Sequence, residues 1–207
     1  MKSNAKRYVM ALGLVCMLSA PGTAVMAATN TATDPGGGGV ALTASGSVTV
    51  NSATLQLVKQ VWTAAGACLA SSPADATCTA SAVSATVPAG TAVKFIIFVR
   101  NTTDVALSDV RIQDVIDITA TGFTYGAGTM KHATATLDTA PIATIYADAN
   151  GGTVETDAAE VGGTNYASYN NGLANTITIG AVVGQVNAAL NVAAHTTFSL
   201  LFQATKK

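Results

Sequence analysis

Alternation of apolar and polar residues with a period of two constrains this chain more than any other feature. It is clearest between Pro88 and Asp117, PAGTAVKFIIFVRNTTDVALSDVRIQDVID. Val93, Phe95, Ile97 and Val99 are every second residue, the repeat of a strand and not of a helix. The opposite face, Lys94, Ile96, Phe98 and Arg100, is apolar in its middle, so cover is expected on both faces. Pro88-Ala89-Gly90 is a turn that delivers the chain into this strand. Asn101-Thr102-Thr103-Asp104 ends the run, because these side chains bond nearby backbone and favour turns. Alternation resumes as Val105, Leu107 and Asp109 give way to Val110, Ile112 and Val115, which predicts a hairpin or a sandwich corner.

The same repeat recurs elsewhere. Ala53 to Trp62 alternates as Ala53, Leu55, Leu57, Lys59 and Val61, and Thr197 to Ala204 sets Phe198, Leu200 and Phe202 on one face. The single tryptophan, Trp62, is expected as a core anchor. Shorter strands are expected over Ser81–Val87, Ala133–Leu137, Ile142–Ala147, Thr153–Asp157, Thr176–Val183 and Val186–Val192. Asp148-Ala149-Asn150-Gly151-Gly152 reads as a turn, and 158–172 as a long surface loop. No apolar stripe of helical period stands out beyond the first residues. Many short strands with turn signals between them predict an all-β chain, a sandwich or barrel.

The central stretch resembles an immunoglobulin-like conserved-repeat module of bacterial and archaeal surface proteins, the domain of unknown function 11 family. The turn Ala89-Gly90, the strand Val93 to Arg100, the turn Asn101-Thr102 and the strand Val110 to Asp114 carry the resemblance. Echoes follow in Gly122 to Gly128 and in Ala193 to Thr205. The segment from Ala133 to Asn175 is longer than the usual module, and His195 stands where glycine is common. The resemblance implies an immunoglobulin-like β-sandwich over 51–207 with a flexible N-terminal extension. It implies no activity, because the family has no single one.

Composition narrows the function classes. Charged residues are 10% of the 207 and aromatics 5%, so Thr, Ala, Ser, Asn and Gly must fill the surface. That balance suits an exported β-protein and excludes a nucleic-acid binder, which needs clustered Lys and Arg to neutralise phosphates. Lys2, Lys6 and Arg7, the apolar run Tyr8 to Leu18 and the small residues of Val25-Met26-Ala27 form an export signal over 1–27. The apolar run falls short of the roughly 20 residues a spanning helix requires. Removing its three cations leaves seven basic against eleven acidic residues, a charge of −4. No membrane span is expected after removal, and the location is extracellular or at the cell surface. Cys68 and Cys78 are the cysteines that remain, and an even pair in an exported chain predicts a disulfide.

Residues 28–39 read as a flexible leader, since four successive glycines cannot form a packed element. Val40 to Val50 then alternates strictly, with Val40, Leu42, Ala44, Val48 and Val50 on one face and Gly46 interrupting it. At about 3.3 Å per residue this is a strand of some 36 Å, about twice the usual length. Its apolar face needs cover. It is either the first strand of the chain's own sheet or a donor strand that completes the sheet of another copy, with the glycines as hinge.

Little chemistry is encoded. His132 and His195 lack patterned partners, and no G-x-S-x-G, H-E-x-x-H, P-loop or dinucleotide glycine pattern is present. No enzymatic activity or cofactor is expected. Asp148, Asn150 and Glu155 form a weak calcium candidate without the full loop spacing. Strand parity puts Asp114 on the opposite face from Asp109 and Asp117. Asn101-Thr102-Thr103 matches a glycosylation sequon and is also a turn. Two functions stay open. One is a self-assembling subunit of a pilus-like filament or surface layer, and the other is an adhesin or carbohydrate-binding module using Tyr125, Tyr146, Tyr166 and Tyr169.

Overall fold

A computed structural model describes residues 26–32, 44–50, 55–72, 78, 86–158, 165–170, 173–182 and 187–207. These residues are all-β with one helix. The first strands are β1 (Met26–Ala32), β2 (Ala44–Val50), β3 (Leu55–Thr63), β4 (Cys68–Ser72), β5 (Ala92–Asn101), β6 (Leu107–Val115) and β7 (Phe123–Tyr125). After β8 (Lys131–Leu137) come α1 (Ile142–Gly151), β9 (Thr153–Val154), β10 (Ala167–Tyr169), β11 (Thr176–Ile179), β12 (Leu190–Val192) and β13 (Thr196–Lys206).

Two antiparallel sheets result. One runs β1-β2-β6-β11-β10, with β12 also on β6; the other runs β4-β3-β5-β13-β8-β9, with β7 on β13. Val93, Phe95, Ile97 and Val99 share one apolar cluster with Val110, Ile112, Ile177, Ile179, Leu190 and Val192, so residues of both sheets build a common core. Burying each such side chain stabilises the fold by about 1.5–3 kcal/mol. The other face of β5, Ile96 and Phe98, joins a second cluster with Trp62, Cys68, Cys78 and the helix residues Ile142, Ile145, Tyr146 and Ala149. Cover on both faces of β5, expected from its residues, is thus provided by a sheet on one side and α1 on the other.

That helix overturns the expected strand over Ile142–Ala147 and the turn after it. Ile142, Ile145, Tyr146 and Ala149 are spaced i, i+3, i+4, i+7 and are all buried. Their β-branched and aromatic character favours a strand, but the helical stripe is what fits the outer face of the sheet. Tyr146 stacks on Trp62 with ring centroids 4.1 Å apart. Lys94 Nζ donates to Asn150 Oδ1 at 2.8 Å and Arg100 to the Ala140 carbonyl at 2.8 Å, so the polar ends of β5's outer face clasp both ends of α1. Gly152 lets the helix close against β8, since a Cβ there would lie 2.1 Å from the His132 carbonyl oxygen.

The parity change between Leu107 and Val110 is a bulge. Asp109 takes φ +56°, Ser108 and Asp109 both face solvent, and pairing with β12 shifts register there. Beyond it the core-facing set is Val110, Ile112, Asp114 and Ile116; Val115, expected on that face, is exposed. Only 86–87 of the strand expected over Ser81–Val87 are described, without regular structure, and only Thr153–Val154 of the expected 153–157 strand pairs.

Candidate functional site

The edge of β6 that faces β2 is where the sequence's most unusual segment lands. β2 is paired along both edges, with β1 on one side and β6 on the other. Ala44, Gly46, Val48 and Val50 are therefore members of this chain's own sheet, while Val40 and Leu42 lie outside the described residues. Residues 28–32, expected as leader, belong to β1. Met26 to Ala32 has no large β-branched or aromatic residue, so its strand character comes from the backbone pairing with β2 and not from its side chains. The glycine run falls between two paired strands; its own residues, and 1–25 of the expected signal, lie outside the described residues.

The register sets Gly46 opposite Asp114 and Val48 opposite Ile112. Paired residues of antiparallel strands share a face, so the even-numbered positions of β2 lie on the core side of β6. On that side sits a buried ion pair between the two sheets. Lys59 Nζ on β3 donates to both Asp114 oxygens at 2.7 Å, the two side chains being 11% and 2% exposed. The ammonium also lies 5.0 Å from the centre of the Phe95 ring. Burial raises the Asp114 pKa above the usual carboxylate range, and the Lys59 charge partly offsets this. The signal for this pair was present in the sequence. Lys59 interrupts the stripe Leu55, Leu57, Val61, and Asp114 interrupts Val110, Ile112, Ile116.

Asp148, Asn150 and Glu155 are not brought together. The Asp148 carboxylate accepts from Thr136 Oγ1 at 2.7 Å, and Asn150 accepts from Lys94 and, through its carbonyl at 3.0 Å, from Lys131. Glu155, fully buried, pairs with His132 Nδ1 at 2.6 Å and accepts from the Tyr166 N–H at 3.0 Å. Two lysines at Asn150 oppose a cation there, and no group of three His, Cys, Asp or Glu among the described residues is placed to hold a metal. The His132–Glu155 pair, with the His132 ring edge-on to Tyr166 at 5.0 Å, pins 155 and 166 onto β8. Nothing in the local sequence around either residue marks that pairing.

The tyrosines do not form a loop platform. Tyr146 is in the helix core, Tyr166 packs against His132 and Phe198, and Tyr125 and Tyr169 stack on one another at 3.9 Å. Tyr125 donates to Asp157 Oδ1 at 2.5 Å, and burial followed by this carboxylate raises its pKa. Tyr125 and Tyr169 border a shallow groove of about 360 Å³ with Asp157 and Lys207.

Asn101 is fully buried. Its Nδ2 lies 2.8 Å from the Val105 carbonyl, 3.1 Å from that of Val192 and 3.0 Å from that of Ala193. Its Oδ1 accepts from the Thr103 N–H and hydroxyl. The sequon residue is thus a turn-builder whose amide is inaccessible to a glycan. His195, at φ +54°, bridges Asp104 through Nε2 at 2.8 Å and Asp138 through Nδ1 at 3.1 Å. Cys68 and Cys78 form the expected disulfide, with Cα atoms 5.1 Å apart beside Trp62. Among the described residues no helix is long and apolar enough to cross a membrane.

No protein-family model, curated protein or solved structure matches this chain.

Proposed function

We propose that this chain is an exported structural subunit, with an immunoglobulin-like sandwich body, that assembles into a filament or surface layer by strand addition. In this reading Ala44–Val50 of one copy takes the place on β6 of the next copy that β2 occupies in its own. The observation that carries the reading is the position of β6. With β2 in place it is an interior strand; without β2, Arg111 to Val115 present a row of unpaired backbone groups along an open edge.

Exchange between copies keeps every hydrogen bond of the β2–β6 pairing and changes only whose strand makes it. Such swaps are a low-cost route to assembly, favoured by high local concentration. Residues 51–54 alone join β2 in one sheet to β3 in the other, so the crossover that a swap must redirect is short. The low charge content leaves little electrostatic repulsion between copies.

Electron microscopy and sizing of the chain beginning at Ala28, beside one beginning at Asn51, test this. Polymers are expected from the first and none from the second. Equal assembly by both removes β2 from the account.

A further inference from the structure

The face of β6 that receives β2 is not uniformly apolar. Val110, Ile112 and Ile116 flank Asp114, whose carboxylate is held from the opposite sheet by Lys59 with both oxygens engaged at 2.7 Å. On the far edge of β6 the residue paired with Asp114 is Ile177, fully buried. On the near edge it is Gly46. Directly paired residues bring their Cβ positions to about 4.5–5.5 Å, and stacked sheets are about 10 Å apart. Lys59 must cross that gap to reach Asp114, with Phe95 already against its ammonium. A side chain on the strand position opposite Asp114 would enter the space in which the ion pair is made.

In the described strand Ala44–Val50 the positions on the face shared with Asp114 are Ala44, Gly46, Val48 and Val50. Only one of these four has no side chain, and it is the one in register with Asp114. A slip of two residues keeps the same face inward but sets Ala44 or Val48 against the carboxylate. Alternation alone fixes the face of an added strand; it cannot choose between registers two residues apart.

We infer that Gly46 and the Lys59–Asp114 pair together select the register at which this strand is taken up, and that the groove along β6 accepts a strand only with glycine opposite Asp114. The proposed partner is Ala44–Val50 of a second copy. That identity rests on the strand-addition reading, whereas the register rule holds whichever copy supplies the strand.

Two measurements on the otherwise intact chain separate these claims. Cysteines at paired positions of adjacent strands lie within disulfide reach. T49C/R111C, the observed register, is expected to oxidise at least tenfold faster than T49C/Q113C, the register of a two-residue slip. The reverse order overturns the register rule. Non-reducing gels of the same protein show a ladder when the linked strand comes from a neighbour and a monomer when it does not. A monomeric product with the expected order keeps the register rule and defeats assembly by exchange.

The second measurement is G46V, expected to raise the concentration needed for assembly at least tenfold. If assembly by exchange has failed, the same variant is read instead as at least a tenfold faster amide exchange in β6. On a K59M/D114L background the valine should cost less than threefold in either readout, because the ion pair it obstructs is gone. An equal penalty on both backgrounds refutes the role of the ion pair, and a negligible penalty on both refutes the role of the glycine.

Discussion

Removing one member of the buried pair between the sheets should be among the most damaging single changes in this chain. In Asp114→Ala, the Lys59 ammonium, 11% exposed and held among the described residues by the two Asp114 oxygens and the Phe95 ring, is left without this counter-ion. Breaking a buried pair this way costs about 3–5 kcal/mol. Total stabilities of about 5–15 kcal/mol make that a fifth or more of a typical fold. Lys59→Met is expected to differ in its pH dependence. Burial raises the Asp114 pKa in the fold, and Lys59→Met removes the charge that opposes it. A carboxyl whose folded pKa exceeds its unfolded value stabilises below the unfolded value and loses this as pH rises through the folded one. The Lys59→Met deficit should therefore be largest near neutral pH and shrink in acid. The double variant Lys59→Met/Asp114→Leu should be neutral or more stable than the parent by up to about 4 kcal/mol. Denaturant midpoints at unchanged slope measure all three. Single variants losing under about 1 kcal/mol, as an exposed pair would, contradict burial as the source of the penalty.

Three further outcomes are expected. Cys68→Ser/Cys78→Ser should lose about 3 kcal/mol on the chain-entropy account of a short closed loop, read by denaturant melts. Tyr146→Ala, which uncovers the face of the buried Trp62, should cost about 3–5 kcal/mol and red-shift tryptophan emission. Hydrogen bonds to Asp104 and then Asp138 raise the His195 pKa, so its contribution is complete below the unfolded value of about 6.5 and is lost as pH rises through the folded value. An NMR titration of the ring should show that upward shift, and His195→Ala should abolish the pH dependence of the amide protection factors in the turns it bridges.

The strands around the centre were legible because one face of each is an unbroken apolar series. β5 and β13 carry uninterrupted period-two runs, and both register on each other over ten residue pairs. The disulfide followed from the even pair of cysteines, Cys68 and Cys78, beyond residue 27. What escaped reading depended on distant partners. Ile142, Thr144, Ile145 and Tyr146 have strand character locally, and only the apolar outer face of β3 and β5 makes the helix the better burial. β1 consists of Ala, Thr, Asn and one Met, with nothing to mark it until β2 is beside it. Glu155 looked like one of several turn acids, yet a histidine 23 positions earlier in the sequence makes it a core residue. Lys59 and Asp114 were each visible as charges in apolar stripes, and the pairing of two sheets was needed to join them.

The ownership of the strand on β6 is tested most directly by isotope mixing. Unlabelled and nitrogen-15 chains carrying T49C/R111C are mixed under conditions that permit exchange, oxidised and digested, and the linked peptide is weighed. Strand addition predicts mixed-isotope pairs as abundant as same-isotope pairs. A linked peptide found only in same-isotope form contradicts it and leaves β2 as the chain's own strand.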